Sequence, residues 1–181
     1  SPVAREGLPM VTSSSTMSFH FNGEEVAYVP LKLTETPGEV GVYFRGSDVF
    51  VFGDAYVQSY PYIGVQNGAT VENIIDNFNL ALQMTTPNTV FVPGHGQLGK
   101  REDLIALRDA VSTIHDRIVK MVAAGMTIEQ IWDARPSKEF DARCSLEAVF
   151  HPPDYYNANV EGATRRMLYD RFFEEARAHR R

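Results

Sequence analysis

The sequence is poor in cysteine, in clustered basic charge and in long apolar runs, and each shortage removes a class of protein. Cys144 is the sole cysteine, so an intramolecular disulfide, a zinc ribbon and a redox cysteine pair are excluded. It reads as a small buried apolar residue. The 17 Lys and Arg are scattered and outnumbered by 23 Asp and Glu, for a formal net charge of −6. That leaves no electrostatic footprint for nucleic acid or an anionic membrane. No apolar run approaches the roughly 18 residues of a spanning helix. The opening Ser1–Gly7 lacks the apolar stretch of a signal peptide, and a cytoplasmic setting is the expectation. Because the first residue is Ser rather than Met, upstream residues removed by processing are also expected.

What is present is ordinary globular material. With 181 residues, 44% of them hydrophobic and 22% charged, the chain is long enough for one domain with a real core. Up to about residue 69 the pattern is strands and turns. Met17 to Phe21 alternates apolar with polar, Asn22-Gly23 is a two-residue hairpin signal, and Glu25 to Val29 is the return strand. A second hairpin runs from Val40 to Phe44 and back through Val49 to Phe52. Helical periodicity follows. Thr70 caps a helix with the stripe Val71, Ile74, Ile75, Phe78 and Leu82. A helix over about 101–124 stops at Gly125, and Thr127 with Gln130 forms a capping box for a short one. A last helix is expected past Pro152-Pro153, with Val160, Ala163, Met167, Leu168 and Phe172 on its apolar side.

Two strands each end at a residue that can ligate a metal. Val49-Phe50-Val51-Phe52 runs into Gly53-Asp54, and Thr89-Val90-Phe91-Val92-Pro93 runs into Gly94-His95-Gly96. A rigid sheet presenting ligands from its end suits metal chemistry. Both strands are apolar at nearly every position, which in a sheet means two buried faces. The helices can cover one face, and the amino-terminal third contains no helix to cover the other. The rest of the chain then offers the arm and the carboxy-terminal helix as covers, and outside it stands a second copy or another polypeptide, the latter pair being the expectation. Gly94 to Lys100 also has the spacing of a phosphate loop, but Arg101 stands where Ser or Thr should hold Mg²⁺. Nucleotide binding is not the reading.

The Gly-Asp and Gly-His-Gly, in this order and setting, resemble the second half of the metallo-β-lactamase superfamily. Thr34-Glu35-Thr36-Pro37-Gly38-Glu39 with its following strand is similar to that family's His-Thr-x-Gly-Asp, and Gly125 to Gln130 with Ala134 to Ser137 is similar to a tail of its hydrolases. The first-half signature His-x-His-x-Asp-His appears nowhere. The resemblance implies an α/β half-sandwich, a mixed or mainly antiparallel sheet with helices on one face. It implies an arm over 1–16, a half domain over 17–150 and a helical extension over 151–181. It makes Asp54 and His95 ligands of one divalent metal, zinc foremost, with a metal-held water as nucleophile. Glu35 stands at the position of a third ligand. Tyr60, Tyr62 and Gln66, on the loop lining the family's cleft, are the residues to contact a small-molecule substrate or to pack beneath that loop. Three functions stay open: a hydrolase completed by a second copy or partner, a non-catalytic binding or assembly module, and a processed fragment of a longer hydrolase. His20, His115 and His179 read as surface residues, and His151 as a packing residue.

Overall fold

The computed structural model describes residues 11–144 and 163–179, so His151 and Val160 lie outside the described residues. Five strands form one sheet: β1 (Met17–Phe21), β2 (Glu24–Pro30), β3 (Val40–Phe44), β4 (Val49–Val57) and β5 (Val90–His95), in that spatial order. The first three pairings are antiparallel and β4 pairs with β5 in parallel. The sheet is therefore mixed, as expected. Asn22 and Gly23 turn the first hairpin with φ of 51° and 85°, the left-handed pair that a tight primed turn requires.

Helices α1 (Val71–Met84), α2 (Arg101–Ala123), α3 (Ile128–Ala134), α4 (Asp141–Cys144) and α5 (Ala163–Ala178) complete the fold. Thr70 Oγ1 accepts from the Asn73 amide at 3.2 Å at the start of α1, and the Thr127–Gln130 box starts α3. Both starts fall where the side chains predict them. No helix among the described residues is long and apolar enough to cross a membrane.

Period two divides the central strands into two unlike faces. Tyr43, Phe50, Phe52 and Phe91 are buried, and Phe52 meets Phe50 at 4.6 Å and Phe78 of α1 edge-on at 5.9 Å between ring centroids. This face carries the helices. Val42, Val49, Val51, Val90 and Val92 point the other way and are only half-buried, with Val42 beside Val51 and Val51 beside Val92 in the ladders. Helix α5 adds to the helical layer. Its Phe172 packs on His115 of α2, Tyr169 is hydrogen-bonded to Ser137, and Trp132 of α3 donates to Asp170 at 3.0 Å. The fold-back of this helix over the valine face does not occur, because its own apolar side is spent on α2 and α3.

Asp141 ties this layer to the loop after β4. Its carboxylate accepts from Tyr60 Oη at 2.8 Å, Ser137 Oγ at 2.7 Å, Arg135 at 2.9 Å and Arg165 at 3.1 Å. Burial favours the protonated acid, yet the hydrogen bonds and the Arg165 charge outweigh it and hold this carboxyl below its ordinary value.

Candidate metal centre

Strand β4 does not end at Phe52. It passes through a break in register at Gly53, whose φ is 59°, and resumes pairing to Val57 opposite His95. The irregularity lets Ala55 and Tyr56 both turn inward while Asp54 is exposed, as a bulge re-aims one side chain. Beyond Pro93, β5 carries Gly94 and His95 alongside. The Gln58 amide donates to the His95 carbonyl at 3.4 Å, and Gln58 Oε1 accepts from the Gln97 amide at 2.9 Å. One residue thus clamps both sides of the loop.

The two predicted ligands meet. Asp54 Oδ1 stands 3.4 Å from His95 Nε2, with the side chains 58% and 63% exposed. Two ligands each about 2.05 Å from a tetrahedral ion stand about 3.3 Å apart. The pair therefore has the separation of two corners of one coordination sphere, with no movement needed. A carboxylate with an imidazole suits zinc and the other borderline divalent ions.

Gly94 makes this approach possible. A Cβ there would land on Asp54 Oδ1 and lie 2.7 Å from the carbonyl carbon of Gly53, closer than real side chains allow. Gly94→Ala is expected to displace the Asp54 carboxylate and weaken metal retention by at least 10-fold, as loss of ligand support does in other sites, with both ligands still in the sequence. Titration with a competing chelator measures it; unchanged retention would show that Asp54 does not need this position.

The other predicted residues each have a setting of their own. Glu35 lies in a loop organised by Glu39, whose carboxylate accepts from the amides of Thr34 at 2.6 Å, Glu35 at 2.8 Å and Thr36 at 3.3 Å. The Glu35 carbonyl accepts from Asn67 Nδ2 at 2.7 Å, and Gly64 packs so closely that a Cβ would strike that same carbonyl. Among the described residues Glu35 does not make a group of three with Asp54 and His95; the set of three that is close enough is Glu72, His115 and Glu175. Tyr60 is 3% exposed and its hydroxyl is committed to Asp141, so it packs beneath the loop and is not presented to a substrate. Tyr62 and Gln66 are exposed, and Gln66 Nε2 donates to Tyr62 Oη at 3.2 Å. Cys144 is buried, which pushes its thiol up to about 11.

His115 reads as a surface residue from its charged neighbour Asp116. It is half-buried, and it joins Glu72 and Glu175 from helices far apart in sequence. The missed signal is the apolar spacing of α2, where His115 follows the core residue Ile114.

No family model matches the sequence, and no curated protein is detectably similar to it. Solved structures are similar in fold. A metallo-β-lactamase from Pontibacter korlensis is 20% identical, covers 57% of this chain and 50% of its own, and has a TM-score of 0.48. A stereoselective inverting sec-alkylsulfatase, Pisa1, from Pseudomonas sp. is 16% identical, covers 91% of this chain and 26% of its own, and has a TM-score of 0.63. The chain thus spans half of the first protein and about a quarter of the second. The likeness is one of fold alone and is carried by the alkylsulfatase: an α/β arrangement with a five-stranded mixed sheet.

Proposed function

We propose that this chain is a metal-dependent hydrolase of the metallo-β-lactamase type whose site is completed by a second copy or by another polypeptide. The observation that carries the reading is the 3.4 Å separation of Asp54 Oδ1 and His95 Nε2 at adjoining ends of β4 and β5. Asp54 and His95 hold one divalent cation, zinc foremost. Two ligands fall short of the three that catalytic zinc sites take from protein, and both side chains are more than half exposed, so further donors have room to arrive. Glu35 is the donor this chain could add by movement of its loop. The half-buried valines on the sheet face away from the helices support the association, since such faces on monomers are usually small.

The metal when bound supplies Lewis acidity, lowering the pKa of water and polarising a substrate oxygen. The chain's own residues position it. Gln58 clamps the His95 loop, Gly94 keeps the Asp54 carboxylate against β5, and Tyr62 with Gln66 offers exposed hydrogen-bonding groups to a small-molecule substrate.

Native mass and elemental analysis of the same sample test this. A dimer or a complex carrying zinc, iron or manganese, with metal lost in Asp54→Asn, is the expected result. A metal content that Asp54→Asn leaves unchanged overturns the hydrolase reading and favours a non-catalytic binding or assembly module. A second polypeptide bearing the missing His motif identifies the chain as one piece of a divided hydrolase.

A further inference from the structure

A second group of ligand-capable side chains lies on the helical layer, away from the strand ends. Glu72 in the first turn of α1, His115 in α2 and Glu175 in α5 each offer one ligand atom, and these atoms lie within 4.8 Å of one another. The three residues come from three helices.

Glu175 is the least explained of them. It is 9% exposed, which is costly for a carboxylate unless its oxygens are paired. Oε2 accepts from the Val71 amide at 3.2 Å, at the amino-terminal end of α1. Oε1 is buried and has no hydrogen-bond partner among the described residues; a Glu72 carboxylate oxygen lies within 4.8 Å of one of Glu175. Two acceptors cannot satisfy each other without a proton or a cation between them. Burial, then the neighbouring Glu72, pushes the Glu175 carboxyl up to about 8. Glu72 is held below its ordinary value, first by its hydrogen bonding with Glu175. A proton between them is favoured on the Glu175 side.

His115 is suited to replace that proton with a metal. Burial is the largest influence on its imidazole and lowers its pKa, against the raising charges of Glu72 and Asp116. The neutral ring keeps a lone pair for a metal. Its edge-to-face packing on Phe172, with centroids 5.3 Å apart and rings at 88°, fixes the ring plane. Two carboxylates and a neutral imidazole carry a formal charge of minus two, which one divalent cation cancels. Glu72 is exposed and leaves a path from solvent.

We propose that Glu72, His115 and Glu175 form a structural site for one divalent cation, Zn²⁺ or Mn²⁺, that fastens α5 to α1 and α2. Mixed oxygen and nitrogen donors without thiolate suit these ions. Neighbouring ligands of a tetrahedral ion stand about 3.3 Å apart and opposite ligands of a six-coordinate one about 4.2 Å, so the three atoms, within 4.8 Å of one another, would draw together by up to about 1.5 Å on binding. The site is independent of Asp54 and His95, and its ion would hold helices together with no part in hydrolysis.

Thermal melting of chelator-stripped full-length chain, with and without Zn²⁺ or Mn²⁺, tests it. At ion concentrations about 100-fold above the dissociation constant, Tm is expected to rise by roughly 5–10 °C. In a His95→Ala background, which removes the contribution of the strand ends, a rise should remain, and adding Glu175→Gln should abolish it. Glu72→Gln, at an exposed position that cannot threaten the core, should abolish it as well, with one equivalent less metal per chain. Absence of a rise in wild type, a rise that vanishes in His95→Ala, or a rise that persists in both glutamine variants of that background would each overturn the site.

Discussion

His95→Ala is expected to weaken metal retention at the strand ends by more than 100-fold. The argument is geometric. Asp54 Oδ1 and His95 Nε2 are already 3.4 Å apart, so each would contribute a coordination bond with little rearrangement of the pair. Removing the imidazole leaves a single exposed carboxylate, and such a group has little hold on an ion in water. Disturbing groups that merely support ligands costs 10- to 100-fold in other sites, so loss of a ligand itself should exceed that range, about 2.7 kcal/mol or more. The comparison belongs in a Glu175→Gln background, where the helical site cannot mask the loss. Equal metal content with and without His95 would remove the strand ends from consideration.

Phe52→Ala is expected to cost about 3–5 kcal/mol of folding stability, as buried Phe truncations do. Phe52 is 2% exposed and meets Phe50, Phe78, Phe91 and Tyr56 with ring centroids between 4.6 and 6.0 Å away. Little around it can collapse into the gap. Against a usual total of about 5–15 kcal/mol, this loss alone approaches unfolding. The adjacent Val51 faces the opposite way and is half-buried, so Val51→Ala should cost about 1 kcal/mol. Denaturant titration of both variants checks the pair. If the two cost the same at every protein concentration, both faces of the sheet close within one chain, and the association proposed here has no basis.

Much of this arrangement could be read from residues. Asn22-Gly23 announces its hairpin because few other pairs adopt two left-handed conformations in succession. Thr70 and Thr127 announce helix starts because each hydroxyl can reach an amide three residues on. Asp54 and His95 were legible as a pair because each follows an apolar strand at a glycine. Other features depend on contacts that sequence spacing does not encode. The continuation of β4 past Gly53 is hidden, since the apolar run stops at Phe52 and the later pairing rests on a break in register. Tyr60 reads as either a cleft residue or a packing residue until Asp141, from a distant helix, is seen to take its hydroxyl. His115, Glu72 and Glu175 look unrelated along the chain because only the packing of three helices joins them.

The parallel pairing of β4 with β5 also bears on how the Asp54–His95 pair comes into being. β1 to β4 are linked by short turns or loops and can zip from neighbours outward, whereas β5 reaches β4 only after the chain has traversed all of α1. Closing that longer excursion carries an entropic toll paid before any ladder bond repays it. Asp54 and His95 are thus brought face to face by a pairing more distant in sequence than any between the antiparallel strands, and an ion captured there would report that this pairing has formed.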